Sequence, residues 1–167
     1  CYMDSPNLDR VLRIKTNNCR GGVIENINMR NVTVGRCNES VLRINLDYEP
    51  REVCYRGFEP TVRRVYMENV TSQQSKYGVQ IIGRDNIDNV SDITVRNCHF
   101  NGVSLKPISI TGRTSNVKFD NLFINGSLVL NAGEQPYNYY SQWMVASEMK
   151  RVPQSYMLDF SKKPKWS

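Results

Sequence analysis

What this sequence most obviously lacks is a metal-binding signature: it has a single histidine, His99, and none of its five cysteines forms a Cys-x-x-Cys pair. Zinc-type ligand spacing is therefore absent. No group of carboxylates stands out of the kind that calcium needs. Neither a metal nor an organic cofactor is expected. No apolar run approaches the ~20 residues that cross a bilayer as a helix, and no signal peptide is present. Acidic residues are the minority charge, 16 against 22 lysines and arginines, which leaves a formal net charge of +6. Such a surplus suits a polyanionic partner: nucleic acid, anionic polysaccharide or anionic lipid. The basic residues are scattered and no nucleic-acid module is recognisable, so neither nucleic acid nor membrane is the expected partner. The 167 residues, 40% of them hydrophobic, exclude disorder on composition and can bury a sizeable core.

What is present is a repeat. The pattern apolar-x-x-apolar-x-apolar-x-Asn occurs as Ile24, Ile27, Met29, Asn31, as Val62, Val65, Met67, Asn69, and as Val90, Ile93, Val95, Asn97. A weaker copy has Thr114, Val117, Phe119, Asn121. The asparagines lie 38, 28 and 24 residues apart, periods that mark a solenoid. Alternation of the apolar residues is strand spacing, not helix spacing. Stacked strands with an asparagine at each corner predict a parallel β-helix whose Asn side chains bond from coil to coil.

Each unit carries a second strand: Val11 to Lys15, Val41 to Asn45, Val79 to Ile82 and Ile108 to Thr111. Alternation puts Leu12 and Ile14 inside and Arg13 and Lys15 outside, with Arg43 beside Arg13 on the next coil. Arg13 and Lys15 leave one face about 7 Å apart at the backbone. A guanidinium grips a carboxylate bidentately and an ammonium adds a mobile point charge, so the pair forms a candidate anion site. The competing reading is a solvated basic face. Residues from Asp47 to Pro60 hold two prolines, several charges and Gly57, and read as a loop thrown out between coils, able to wall a groove. His99 falls outside, between inward-facing Cys98 and Phe100.

After each repeat asparagine come two more inward positions, such as Val32 and Val34 or Cys98 and Phe100. Cys1 and Met3 fit these places, so the chain starts partway round a coil. Solenoids cap their ends, and the chain is accordingly read as the C-terminal portion of a longer protein. The alternative is a short natural solenoid with an unusual start. Residues 1–126 are expected to form coils. Residues 127–167, rich in tyrosine and tryptophan and broken by Pro136, Pro153 and Pro164, are expected to cap them, with a sugar-stacking platform as the other reading. Cys1 and Cys98 are expected to be buried thiols, whereas pairing of Cys37 with Cys54 is left open. The Asn-x-Ser/Thr matches at Asn31 and Asn69 fall in the ladder, where a glycan does not fit.

The run Leu12-Arg-Ile-Lys-Thr-Asn17, followed by Arg20-Gly-Gly-Val-Ile-Glu-Asn-Ile-Asn-Met-Arg-Asn31, resembles glycoside hydrolase family 28, the polygalacturonases and their relatives, in its bacterial branch. The coil pattern stays in register to about residue 126, so the resemblance covers most of the chain. It implies an all-β, right-handed parallel β-helix, here truncated at its N-terminal end. It implies that Arg13 and Lys15 bind the carboxylate of a galacturonate unit beside the cleavage point. Tyr48, which follows Asp47 in the matching place one coil later, joins them; the other reading of Tyr48 is an anchor for the loop base. The implied activity is inverting hydrolysis of a pectin-like acidic polysaccharide by a secreted or periplasmic enzyme.

The family hydrolyses with aspartates from an Asn-Thr-Asp motif and an Asp-Asp pair, assisted by a histidine in Gly-His-Gly. All lie N-terminal to the Arg-Ile-Lys motif, and none is in this sequence. Inverting hydrolysis needs two carboxyl groups about 6.5–9.5 Å apart. Asp4, Asp9, Asp47 and Glu49 are the nearest acids, but none falls at a family catalytic position. No catalytic residue is therefore assigned, and the missing N-terminal half of the same protein is the expected partner. The alternatives are a non-catalytic β-helical module that binds acidic polysaccharide, and a β-helical polysaccharide lyase.

Overall fold

A computed structural model describes residues 1–53 and 57–131. These fall in the first of the two units into which the chain divides, Cys1–Ala132 and Gly133–Ser167. Among the described residues every regular element is a strand: β1 (Tyr2–Met3), β2 (Arg10–Lys15), β3 (Val23–Arg36), β4 (Ser40–Asn45), β5 (Thr61–Ile82), β6 (Val90–Phe100), β7 (Val103–Thr111), β8 (Ser115–Ile124) and β9 (Ser127–Leu128).

The repeat dictates the stacking. One ladder runs β1-β3-β5-β6-β8 with all pairs parallel; a second joins β2, β4, β5 and β7, also in parallel. In the third coil the two expected strands merge into β5, a single 22-residue strand that belongs to both ladders. This is the all-β parallel solenoid expected from the spacing, with its sheet left open. The apolar repeat positions stand in rows: Ile27, Val65, Ile93 and Val117 in one, and Met29, Met67, Val95 and Phe119 in the next. Rows stack because a coil buries its inner face only against neighbours. Val65 and Ile93 are fully buried, whereas Ile27 and Val117, in the first and last coils of this row, are only partly so.

The corners are asparagines held in the left-handed backbone region: Asn31 (φ 57°), Asn69 (φ 56°), Asn97 (φ 51°) and Asn121 (φ 58°). Asparagine tolerates that region far better than most residues, because its short side chain bonds locally. The side chains do bond coil to coil: Asn69 Nδ2 donates to Asn31 Oδ1 at 2.7 Å and Asn121 Nδ2 to Asn97 Oδ1 at 2.9 Å. A second corner, not foreseen from the sequence, lies five residues earlier in each coil at Asn26, Arg64, Asp92 and Asn116, also with positive φ. There Arg64 Nε donates to Asn26 Oδ1 (2.9 Å) and Asn116 Nδ2 to Asp92 Oδ1 (2.6 Å). Its mixed chemistry hides it in the sequence.

Three cysteine readings need correction or completion. Cys98 is buried as expected, but Cys1 is exposed, since no strand among the described residues covers it. Met3, two residues on, does pack on the core, opposite Val34. Cys37 is a free thiol, 1% exposed, whose Sγ donates to the carbonyls of Asp9 and Ser40, so the pairing left open for it is not made. Cys19 is disulfide-bonded. Cys54 lies outside the described residues, as does the cap expectation from residue 132 onward. His99 is exposed as expected and stacks on Phe123 of the next coil, with ring centres 5.1 Å apart.

Candidate functional site

The outward residues of β2 and the loop after β4 meet. Arg13 and Lys15 are both exposed, on the same side of β2, while Ile14 between them is buried. Arg13 lies opposite Arg43 in the parallel register, and Lys15 opposite Asn45. The chain leaves β4 at Asn45, and Tyr48 turns back so that its amide donates to the Thr16 carbonyl at 3.2 Å. Its ring then lies under both cations: the Arg13 guanidinium carbon is 5.1 Å from the ring centre and the Lys15 ammonium 4.3 Å. Cations are attracted to an aromatic face by its quadrupole. The Lys15 charge, then hydrogen bonds from Lys15 and Arg13, hold the Tyr48 phenol below the usual tyrosine range.

The loop that carries Tyr48 is fixed from beneath by a residue that sequence reasoning did not single out. Asn17 is 1% exposed, so its amide must find partners inside the protein. Its Nδ2 donates to the Glu49 carbonyl at 2.7 Å and to Glu52 Oε2, while its Oδ1 accepts from the Glu49 amide at 3.1 Å. Arg20 Nε donates to both Glu52 oxygens at 3.1 Å. These bonds, led by Asn17, lower the pKa of Glu52. Asn17 stands two residues beyond Lys15, so one short segment supplies both the cation and the anchor of its aromatic partner. The only available signal was its place in the segment after the Arg-Ile-Lys run.

Arg43 adds charge but is partly engaged. Its Nη1 donates to Gln80 Oε1 at 2.5 Å. Burial, then the neighbouring Arg10 and Arg13, lower its pKa. Chemically, the site is an exposed pair of cations braced on a phenol, next to a third cation. It can grip a carboxylate and offers a hydroxyl beside it. Of the acids nearby, Asp47 lies 3.8 Å from Arg84, and Glu52 pairs with Arg20. Among the described residues no group of three or more His, Cys, Asp or Glu side chains could hold a metal, and no helix is long and apolar enough to cross a membrane.

The chain is similar to a solved exopolygalacturonase. That protein, the hyperthermoactive exopolygalacturonase from Thermotoga maritima, is 32% identical over 77% of this chain, with a TM-score of 0.66. The chain spans 27% of the length of that structure. No protein-family profile and no curated protein matches the sequence. The likeness supports the solenoid fold and a polygalacturonase-like relationship.

Proposed function

We propose that this chain forms the carboxylate-binding side of the cleft of a pectin-degrading, polygalacturonase-like glycoside hydrolase of family 28. The observation that carries this reading is the convergence of Arg13 and Lys15 on the Tyr48 ring. Residues that the resemblance had named from two separate parts of the chain, Arg13 and Lys15 on β2 and Tyr48 in the loop after β4, meet at one surface point. The likeness to an exopolygalacturonase supplies the substrate class.

In this reading Arg13 takes the galacturonate carboxylate in its fork, Lys15 neutralises the remaining charge, and Tyr48 holds both cations in place. Binding here orients the sugar next to the bond that is cut. The acid and base that cleave it come from outside this chain, in the N-terminal half of the same protein, and the attack inverts the anomeric centre. The parent enzyme is secreted or periplasmic, where pectic polymers are met.

The test is calorimetric titration of the chain with a short oligogalacturonate. Arg13→Ala should weaken binding by about 2 kcal/mol, roughly thirtyfold, because a charge-assisted bidentate contact is lost. Lys15→Met should weaken it in the same direction. Unchanged affinity in both variants refutes the site. Binding to the chain without hydrolysis after it is rejoined to the N-terminal coils would favour a non-catalytic binding module.

A further inference from the structure

The surface changes character a short way along the same face. Lys15, Asn45, Ile82 and Thr111 stand in one row across successive coils. At the Ile82–Thr111 end lies an open depression of about 310 Å³, at the lower end of ligand-site volumes. With coils about 4.8 Å apart, it begins about 10–15 Å from Lys15. Asp47, next to Tyr48 in the chain, forms part of its wall, so the cation site and the depression share one loop.

Its floor is bare backbone. A side chain on Gly112 (φ 77°) would come within 2.5 Å of the Gly83 carbonyl carbon, and one on Gly83 within 2.8 Å of the Arg113 carbonyl oxygen. The two glycines let adjacent turns approach and leave the hollow open. Around it stand Asp47, Arg84, Asp85, Asn86 and Thr111. The charge of Arg84 is offset twice, by Asp47 at 3.8 Å and by Glu59 at 3.4 Å. Asp85 is exposed and makes no ion pair among the described residues. Arg113 pairs with Arg84 through its backbone but does not line the hollow. The depression is therefore acidic on balance and rich in short hydrogen-bonding groups.

We propose that it is a subsite for an uncharged, hydroxyl-rich sugar unit, occupied while a galacturonate is held by Arg13 and Lys15; this rests on the function proposed above. Aspartate oxygens accept from sugar hydroxyls, while the Asn86 amide and the Thr111 hydroxyl both donate and accept. A second galacturonate in the same place would set its carboxylate against Asp47 and Asp85, and like charges brought together are penalised. The two sites together select a polysaccharide in which acidic and neutral sugars are mixed.

Two oligosaccharides of equal length separate the possibilities: one entirely galacturonate, the other alternating galacturonate with a neutral sugar. Calorimetry on the unaltered chain should show the mixed oligosaccharide binding roughly tenfold more tightly, a factor set by charge complementarity. Asp85→Asn should narrow that ratio. Asp85→Lys, at an exposed position that tolerates the change, should reverse it. Equal binding, tighter binding of the all-acid oligosaccharide, or a ratio unmoved by Asp85→Lys overturns the subsite and leaves the carboxylate site standing. Failure of both oligosaccharides to bind overturns the proposed function, and the subsite with it.

Discussion

The Lys15 ammonium lies 4.3 Å from the centre of the Tyr48 ring. Thirty-three positions of chain separate the two residues, and the solenoid closes that gap by returning the backbone one coil later beside β2. Because Arg13 shares the ring, the phenol senses both cations at once. It is therefore a built-in reporter of the candidate site.

The first prediction uses that reporter. A phenol beside two cations ionises at lower pH than a free one, because the phenolate is the form they favour. The Lys15 charge is the larger cause and Arg13 the smaller. An ultraviolet titration should contain a tyrosine step below the usual range, and Tyr48→Phe should remove it. Lys15→Met should move it to higher pH. Because the folded-state pKa is the depressed one, this interaction adds stability as the pH rises through it and is lost as the pH falls back below it. An oligogalacturonate that captures both cations should delay the ionisation, and absence of any delay at saturating ligand would count against a carboxylate at this place.

Asn17 should control the same signal without touching a ligand. Asn17→Ala leaves the Glu49 amide and carbonyl short of their partners and frees Glu52 from one of its bonds. Removing such a buried amide should cost about 1–3 kcal/mol in denaturant unfolding. More telling, the Tyr48 ionisation should shift toward the ordinary range as the loop loosens. A loss of stability with the titration unmoved would make Asn17 purely structural.

The solenoid was legible because its core obeys one rule in every coil: Ile27, Val65, Ile93 and Val117 repeat in spacing and stack in space. Arg13 and Lys15 were legible for a related reason, as alternation in a strand fixes which side chains face out. Three things were not legible. Asn26, Arg64, Asp92 and Asn116 share a backbone conformation but no chemistry, so no letter pattern marks their corner. Asn17 acts through loop contacts more than thirty residues away, which spacing does not encode. Cys1 fits an inward position, yet a position is buried only when a neighbouring coil covers it.

The asparagine ladder can be divided into its backbone and side-chain parts. Asn69 combines φ 56° with a 2.7 Å bond from its Nδ2 to Asn31. Asn69→Ala loses both and should cost about 2 kcal/mol, of which ~1 is the left-handed backbone and ~1 the hydrogen bond. Asn69→Gly keeps the backbone freedom and should cost only about half as much. Equal losses in the two variants would show that φ contributes nothing at this corner. Urea unfolding monitored by circular dichroism gives both values.

The free thiols should differ sharply in reactivity. Cys98 is completely buried, and desolvation pushes its thiol up to about 11. Burial also raises Cys37, which is 1% exposed. Since the thiolate is the nucleophile, a thiol with that pKa is ionised only to about one part in a thousand at pH 8, before any steric shielding. Cys1 is exposed and unpaired. Brief iodoacetamide treatment of the native protein at pH 8, followed by peptide mapping, should modify Cys1 and spare Cys37 and Cys98. In denaturant all three should react. Rapid native labelling of Cys98 would mean that the coil interface between Met67 and Leu122 opens on the timescale of the reaction, and that the stacked core is far looser than its burial implies.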